Sequence, residues 1–458
     1  MPGQSEPVAL GPELLLELQR GTGVPLHEQL EVTLRDHVRS GRLIPGTRLP
    51  SSRALAAQLG LSRGVVLEAY AQLTAEGYLV SSQGAQTRVA PVPAVERPPL
   101  PATTLEPPRA LRLDPFTPDL AAFPRQQWGR SVRAAIREAP DARLGYGDPR
   151  GTVELRNQLM AYLGRVRGAL PEPEHTLVCG GFVQAFAGLC RTLRARGVER
   201  IGVEAPGWGR HRLTAEGSGL EPVPIPVDEH GLVVSALAAG DCEVVVVTPA
   251  HHFPTGVVLG SERRAELLEW AEEEDGLIVE DDYDSELRYD RGAVGALQGL
   301  APERVCHIGS LSKRLAPGLG LGWTLAPSWL SGALTYEQGV AAASPPAIAQ
   351  LALADFLARG ELDRHLRRMR LRYRERRQSL LQALAREIPS ARASGVPAGL
   401  FTLVWLPEGA SQEAVLHAAA KRGVEVEGLG GGGLILGFAS QPEPAIARGV
   451  RVLAEALL

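Results

Sequence analysis

Only two of the 48 lysine-plus-arginine residues are lysines, Lys313 and Lys421; the other 46 are arginine. Chemistry that needs a primary amine has these two candidates, because a guanidinium that stays protonated cannot form an imine. Lys421 stands in AAAKRGVEVE, a charged helix end, and reads as solvated. Lys313 follows the apolar run Val305-Cys306-His307-Ile308, in the segment Gly309-Ser310-Leu311-Ser312-Lys313-Arg314. Three other apolar runs lead into equally loaded segments. Val279 is followed by Glu280-Asp281-Asp282-Tyr283-Asp284, and Val247 by Thr248-Pro249-Ala250-His251-His252-Phe253-Pro254-Thr255-Gly256. Val203 is followed by Glu204-Ala205-Pro206-Gly207-Trp208. Taken alone, Lys313 reads as a surface lysine after a strand. Its rarity, its place and the matching Asp and Trp favour a site instead. The set suits pyridoxal phosphate (PLP). A lysine amine forms the Schiff base, and a carboxylate keeps the pyridine nitrogen protonated so that the ring draws electrons. An aromatic stacks on the ring, while hydroxyls and loop amides hold the phosphate.

Groups so far apart in sequence converge only if the runs are neighbouring strands. Arg200-Ile201-Gly202-Val203, residues 243–247, Leu277-Ile278-Val279 and Val305-Cys306-His307-Ile308 read as buried strands of a parallel sheet, with Leu267, Leu268 and Trp270 on a helix between two of them. Ligands of such sheets bind beyond the carboxyl ends of the strands.

The chain has 458 residues, enough for two large domains or about three. Apolar residues make up 44%, and mean hydropathy is −0.04, which marks a soluble globular protein. A net charge of −4 excludes a basic coat over the whole chain but leaves room for a local basic patch. Cys179, Cys190, Cys242 and Cys306 form no C-x-x-C pair and read as buried reduced thiols, with no metal site among them. The N-terminus is too acidic and its apolar stretch too short for a signal peptide, and no run reaches transmembrane length. A cytoplasmic protein without membrane contact is expected. A Pro-rich stretch, residues 91–118, cannot hold a helix and reads as a stiff spacer. The expected division is 12–90, a small domain; 91–112, a linker; and 113–458, the large domain that carries the PLP-type set.

In the first of these, Leu26, Leu30, Leu34 and Val38 recur every four residues, as on an amphipathic helix ended by Gly41. Pro50-Ser51-Ser52 opens a second helix with a serine cap and with Leu55, Ala56 and Leu59 inward. After Gly60-Leu61, Ser62 can cap a third helix through Val65, Val66, Ala69, Tyr70 and Leu73, stopped by Gly77. Tyr78-Leu79-Val80 and Thr87-Arg88-Val89 can pair as a hairpin around Gly84. That order is a winged helix-turn-helix. Between residues 35 and 63, six arginines (35, 39, 42, 48, 53 and 63) face one acid, Asp36. The alternative is a helical interaction domain with a solvated basic face.

The run PLHEQLEVTLRDHVRSGRLIPGTRLPSSRALAAQLGLSRGVVLEAYAQLTAEGYL resembles the DNA-binding domain of GntR-type regulators over nearly its whole length. The resemblance implies Arg48, Ser52, Arg53, Ser62 and Arg63 as contacts to a double-stranded operator. The wing departs from the pattern: Ser82 and Gly84-Ala85-Gln86 stand where Arg and Gly-x-Gly are usual.

Further on, LGYGDPRG, PIPVDEHGL, TPAHHFPTG, VEDDYDSELRYD and GSLSKRLAPG resemble fold-type-I aminotransferases and, within them, the MocR subfamily of GntR-type regulators. These join a winged helix-turn-helix to an α/β aminotransferase-like PLP domain, with a mostly parallel sheet and a smaller C-terminal α+β part. The resemblance implies Lys313 as the Schiff-base lysine, Asp281 as partner of the pyridinium and Tyr283 as the phenol beside the imine. It implies Trp208 as the stacking ring, Ser310 and Ser312 as hydroxyls before the lysine, and Gly181 and Phe182 in the phosphate loop. Tyr146 resembles a tyrosine that reaches the phosphate across a head-to-tail homodimer.

Gly320 occupies the position of the usual phosphate arginine, which leaves Arg314 as the nearest substitute in sequence. The phosphate loop, often S-G-A-Q-Q, reads Gly180-Gly181-Phe182-Val183-Gln184. Phe253 stands where aminotransferases carry asparagine. Residues 428–439 hold no arginine to anchor a substrate carboxylate, a role for which Arg210 is the substitute. The Arg-rich stretch 359–386 has two readings, a long solvated helix joining the halves of the fold or a second DNA-facing surface. The expected function is a homodimeric regulator sensing PLP, or an amine or amino acid. The open alternatives are a working aminotransferase that keeps a DNA-binding domain, a regulator of this fold without PLP, and a structural dimerisation platform.

Overall fold

The computed structural model describes residues 18–19, 23–81, 86–91, 110–290, 292 and 294–457. The chain divides into two compact units, Met1–Glu106 and Pro107–Leu458. Most of the expected linker, residues 92–109, lies outside the described residues, as do Ser82, Gly84 and Ala85 of the wing.

In the first unit, α1 (Leu26–Arg39), α2 (Ser52–Leu59) and α3 (Arg63–Ala75) pack around Leu30, Leu34, Leu49, Leu55, Val66 and Leu73. The helix starts are set by their caps. Ser51 Oγ accepts from Ala54 N at 3.2 Å, and Ser62 Oγ accepts from Val65 N at 3.5 Å. Gly60 ends α2 at φ +63°, a left-handed conformation that suits glycine and turns the chain sharply into α3. Strands β1 (Leu79–Val80) and β2 (Arg88–Val89) pair antiparallel.

The second unit starts with β3 (Leu111–Arg112). The helices α4 (Arg125–Glu138) and α5 (Val153–Arg167) precede a run of strands and helices: β4 (Thr176–Cys179), α6 (Phe182–Ala195), β5 (Arg200–Ala205), α7 (Gly209–Gly217), β6 (Glu221–Asp228) and β7 (Gly231–Leu232). It continues with α8 (Ser235–Ala239), β8 (Val244–Val247), α9 (Ser261–Glu273), β9 (Leu277–Asp282), β10 (Val305–Ser310) and β11 (Gly322–Leu325). The eight strands form one sheet in the order β4-β11-β10-β9-β8-β5-β6-β7. From β10 to β6 all neighbours are parallel, while β11 and β7 run against their neighbours.

The apolar runs follow from burial on both faces. Val244 and Val246 join Leu277, Val279 and Ile308 in the core under α6 and α7, whereas Val245 and Val247 join Ile278 and Val305 in the core under α8 and α9.

The helices α10 (Ser328–Val340), α11 (Ala347–Ala358) and α12 (Glu361–Glu387) lead to a second sheet. That sheet is β12 (Arg392–Ser394), β13 (Phe401–Trp405), β15 (Glu427–Gly430) and β16 (Gly433–Gly437), in the order β12-β13-β16-β15. With α13 (Gln412–Lys421), β14 (Val424–Glu425) and α14 (Glu443–Glu455) it completes the smaller C-terminal part. The Arg-rich stretch is the helix α12. Leu362, Leu366, Met369, Tyr373, Leu380 and Leu384 line its buried face, and Arg364, Arg367, Arg368 and Arg374 are exposed. Strand β3 pairs with β14, so this unit already includes Leu111 and Arg112, two residues before the expected boundary.

Candidate functional site

The carboxyl ends of β4, β5, β8, β9 and β10 open into a cavity of about 450 Å3. Its lining includes Lys313, Asp281, Tyr283, Trp208, Ser310, Ser312, Gly181 and Phe182, which the sequence had scattered over 133 positions. Strand β10 delivers Ser310 to the rim and the turn after it delivers Ser312 and Lys313; β9 delivers Asp281, and Tyr283 follows its last residue.

The Lys313 ammonium donates to the Phe116 carbonyl at 2.7 Å and lies 5.6 Å from the centre of the Phe116 ring. Burial lowers its pKa, against the pull of Asp114, Asp281 and Asp284, which favours the neutral amine needed for nucleophilic attack. The segment carrying Phe116 is held close. Asp114 accepts from the Phe116 amide at 2.8 Å, and a side chain at Gly437 would collide with the Asp114 carbonyl, 2.0 Å from a Cβ built there.

Asp281 Oδ2 accepts from His211 Nε2 at 2.9 Å, with both side chains buried. Burial raises the Asp281 pKa, and the His211 contact opposes that rise. His211 sits three residues after Trp208, on the first turn of α7, and packs edge-on against its ring at 5.3 Å. Tyr283 Oη donates to the His251 carbonyl at 2.6 Å, and His251 Nδ1 lies 2.8 Å from Asp284 Oδ2. Helix α6 begins at Gly181 without a side-chain cap, so its first-turn N–H groups are available to a ligand anion.

Three expectations fare differently. Arg314 does not reach the cavity. Its guanidinium, fully buried, donates to Glu286 Oε2 at 2.6 Å, Asp282 Oδ1 at 2.9 Å and Ser310 O at 2.7 Å, and it lies over Trp323. Adjacent side chains diverge, so the lysine faces the cavity and the arginine faces the carboxylates beneath. Arg210 is exposed on α7 and is not part of the lining. Tyr146 is also exposed and outside the lining, so a role at the phosphate would have to be played in a second copy of the chain.

Sequence reasoning missed His211, Phe116, Phe401 and the buried pair Glu204–Thr248. The three-residue spacing from Trp208 was the one available signal for His211. Behind the cavity wall, Glu204 Oε2 accepts from Thr248 Oγ1 at 2.6 Å. Burial pushes its pKa up to about 8, against those hydrogen bonds. The neighbouring His252 is held neutral, its pKa pushed down to about 3 by burial and by His251. Between pH 4.5 and 8 folded Glu204 keeps a proton that the unfolded chain has released, so its own contribution to stability falls as pH rises through that window; His252, neutral when folded, opposes the fall below pH 6.5, and the net fall is expected between pH 6.5 and 8. Glu204→Gln is expected to flatten this fall, whose limiting slope is about 1.4 kcal/mol per pH unit. Urea midpoints at pH 6.5 and pH 8 test it; an unchanged fall in the variant refutes the assignment.

In the first unit Arg48, Arg53, Ser62 and Arg63 are exposed, and Arg63 Nε donates to Ser52 Oγ at 3.4 Å, joining the starts of α2 and α3. Two other arginines of the basic run are engaged within the unit. Arg35 makes two bonds to Glu76, at 2.8 and 2.7 Å, and Arg39 donates to the Tyr78 hydroxyl at 2.8 Å. Among the described residues no helix is long and apolar enough to cross a membrane.

The comparisons divide the chain in the same way. Residues 26–89 match the bacterial regulatory proteins of the gntR family, and residues 123–426 match aminotransferase class I and II. The HTH-type pyridoxine biosynthesis transcriptional regulator PdxR of Corynebacterium glutamicum is 36% identical over 96% of this chain and 96% of its own. The probable rhizopine catabolism regulatory protein MocR of Rhizobium meliloti is 31% identical over 97% and 96%. Among solved structures, the multiple substrate aminotransferase of Thermococcus profundus superposes with a TM-score of 0.70 at 26% identity, over 77% of this chain and 92% of that one.

Fold and site together define a DNA-binding protein built on a helix-turn-helix and an aminotransferase-like domain. The chain belongs to the GntR family of transcriptional regulators, in its MocR and PdxR branch.

Proposed function

We propose that this regulator binds PLP at Lys313 and that occupancy of the cavity, by PLP alone or with a small amine or amino acid, governs operator binding by a homodimer. The observation that carries the reading is an amine held inside a cavity that also presents a buried carboxylate, Asp281. The residues present fit the cofactor. Trp208 would cover the ring, and Asp281, steadied by His211, would hold a proton on the ring nitrogen. Ser310, Ser312 and the first turn of α6 would donate to the phosphate. When bound, PLP supplies an aldehyde that condenses with an amine and a ring that accepts electron density. Exposed Leu144, Tyr146, Tyr336 and Val340 offer apolar surface for a second copy.

One observation favours a second reading, a regulator of this fold without PLP. The described lining holds no cation besides Lys313, and Gly320 is exposed. Titration of the full-length protein with PLP separates the two. A visible band retained through gel filtration, together with a change in operator affinity, supports the first reading; no spectral change at millimolar PLP refutes it.

For DNA, the exposed arginines at the starts of α2 and α3 would contact phosphates or base edges in the major groove. Arg53→Ala and Arg63→Ala are each expected to weaken operator binding about 5- to 30-fold, or about 1–2 kcal/mol, and to reduce the salt slope by about 1 if the contact is to phosphate. Arg35→Ala, which breaks the pair with Glu76 and the contact with the Tyr78 ring, is expected to leave the salt slope unchanged. Fluorescence anisotropy across a salt series is the measurement.

A further inference from the structure

We infer that the effector half of this cavity is built for a primary amine with an aromatic side chain and no carboxylate. The inference rests on the PLP reading above and names the class of amine.

Its wall is made of rings. Phe253 lies 5.1 Å from Phe116 and 5.1 Å from Phe401, and Ile435 and Leu403 pack behind them. All three phenylalanines line the cavity beside Lys313. The charges in the described lining are Asp281 and Lys313, and each already has a use: Asp281 faces His211 and Lys313 supplies the amine. A carboxylate entering this space would lose its water and meet no free cation, a cost several-fold larger than the gain from one neutral hydrogen bond. The arginine closest to Trp208 in sequence, Arg210, is turned to solvent. On the small sheet Leu429 and Ile435 pack with Phe253 and Phe401, and residues 428–439 hold no arginine. The neutral donors at the start of α6 lie at the phosphate end, so they do not compensate.

An aryl group gains instead. It is buried against three ring faces and edges, and each such pair adds to the area buried. Lys313, held under the Phe116 ring, marks where the amine end belongs, so the aryl group extends toward Phe253 and Phe401.

The test uses full-length protein loaded with PLP, with 2-phenylethylamine, L-phenylalanine and 4-aminobutyrate as probes. Binding is read by tryptophan fluorescence and by the thermal midpoint. The expected result is at least about tenfold tighter binding of 2-phenylethylamine than of either carboxylate-bearing amine. Phe253→Leu is expected to reduce that preference, and Phe401→Leu serves as the second variant if the first does not fold. Equal or tighter binding of L-phenylalanine or 4-aminobutyrate overturns the inference while the PLP reading stands. Loaded protein that ignores 2-phenylethylamine overturns it as well. Protein that takes up no PLP refutes the PLP reading, and the inference falls with it.

Discussion

Lys313→Ala is expected to lose PLP retention altogether. After incubation with PLP and gel filtration, the wild-type chain keeps a visible band, and borohydride reduction followed by mass spectrometry finds the added mass on Lys313. The variant keeps neither. The loss is large because so much of the attachment passes through one amine. The described lining offers a phosphate hydroxyls and N–H groups but no arginine, and charged hydrogen bonds are about twice as strong as neutral ones. Retention should therefore fall by on the order of a hundredfold or more, about 3 kcal/mol. Lys313→Arg is expected to fail equally, since a guanidinium keeps the charge and cannot condense with an aldehyde. Lys421→Ala, at the end of α13 and far from the lining in sequence, is the control and should behave as wild type. Labelled Lys421 with unlabelled Lys313 would refute the assignment.

Arg314→Ala is expected to be among the most destabilising single substitutions in the large unit. Asp282, Glu286, Glu280, Arg167, Arg314 and His307 are all buried, and they form one connected group. Burial opposes ionisation of Asp282, but Arg167, Arg314 and His307 outweigh it and hold the carboxyl well below the usual carboxylate range. Removing Arg314 strips Glu286 of its main donor and Asp282 of one of its two arginines, and leaves charge in a dry interior. Breaking a buried pair in this way costs about 3–5 kcal/mol. Arg314→Lys keeps the charge but cannot reproduce the forked contact to Glu286, Asp282 and Ser310, so an intermediate loss is expected. Urea unfolding followed by circular dichroism measures both. A variant within about 0.5 kcal/mol of wild type would show that the network is not needed for stability.

Much of the fold could be read from the chain because its signals are local. Ser51 and Ser62 announce helix starts by bonds spanning three residues. The valines at 244–247 announce a strand buried on both faces, since a half-buried strand would alternate. The rim residues could be read because strand ends in a parallel sheet share one edge. What escaped depends on contacts made across long stretches of sequence. Phe116 meets Lys313 over 197 positions, and His211 meets Asp281 over 70. Arg314 escaped for the opposite reason. It stands beside the lysine, and proximity in sequence suggested a shared ligand, yet consecutive side chains leave the backbone in different directions. The basic run of the first unit was overcounted because Glu76, which neutralises Arg35, lies 41 residues away.

A carbonyl that accepts from the lysine amine and a ligand that takes the same amine are competitors for one partner, and they cannot both have it. Phe116 lies four residues after β3, and β3 is the first strand beyond residues 92–109, the stretch of chain that leads back to the helix-turn-helix. Any molecule that claims the amine frees the Phe116 carbonyl, a backbone acceptor four residues past the first strand of the large unit.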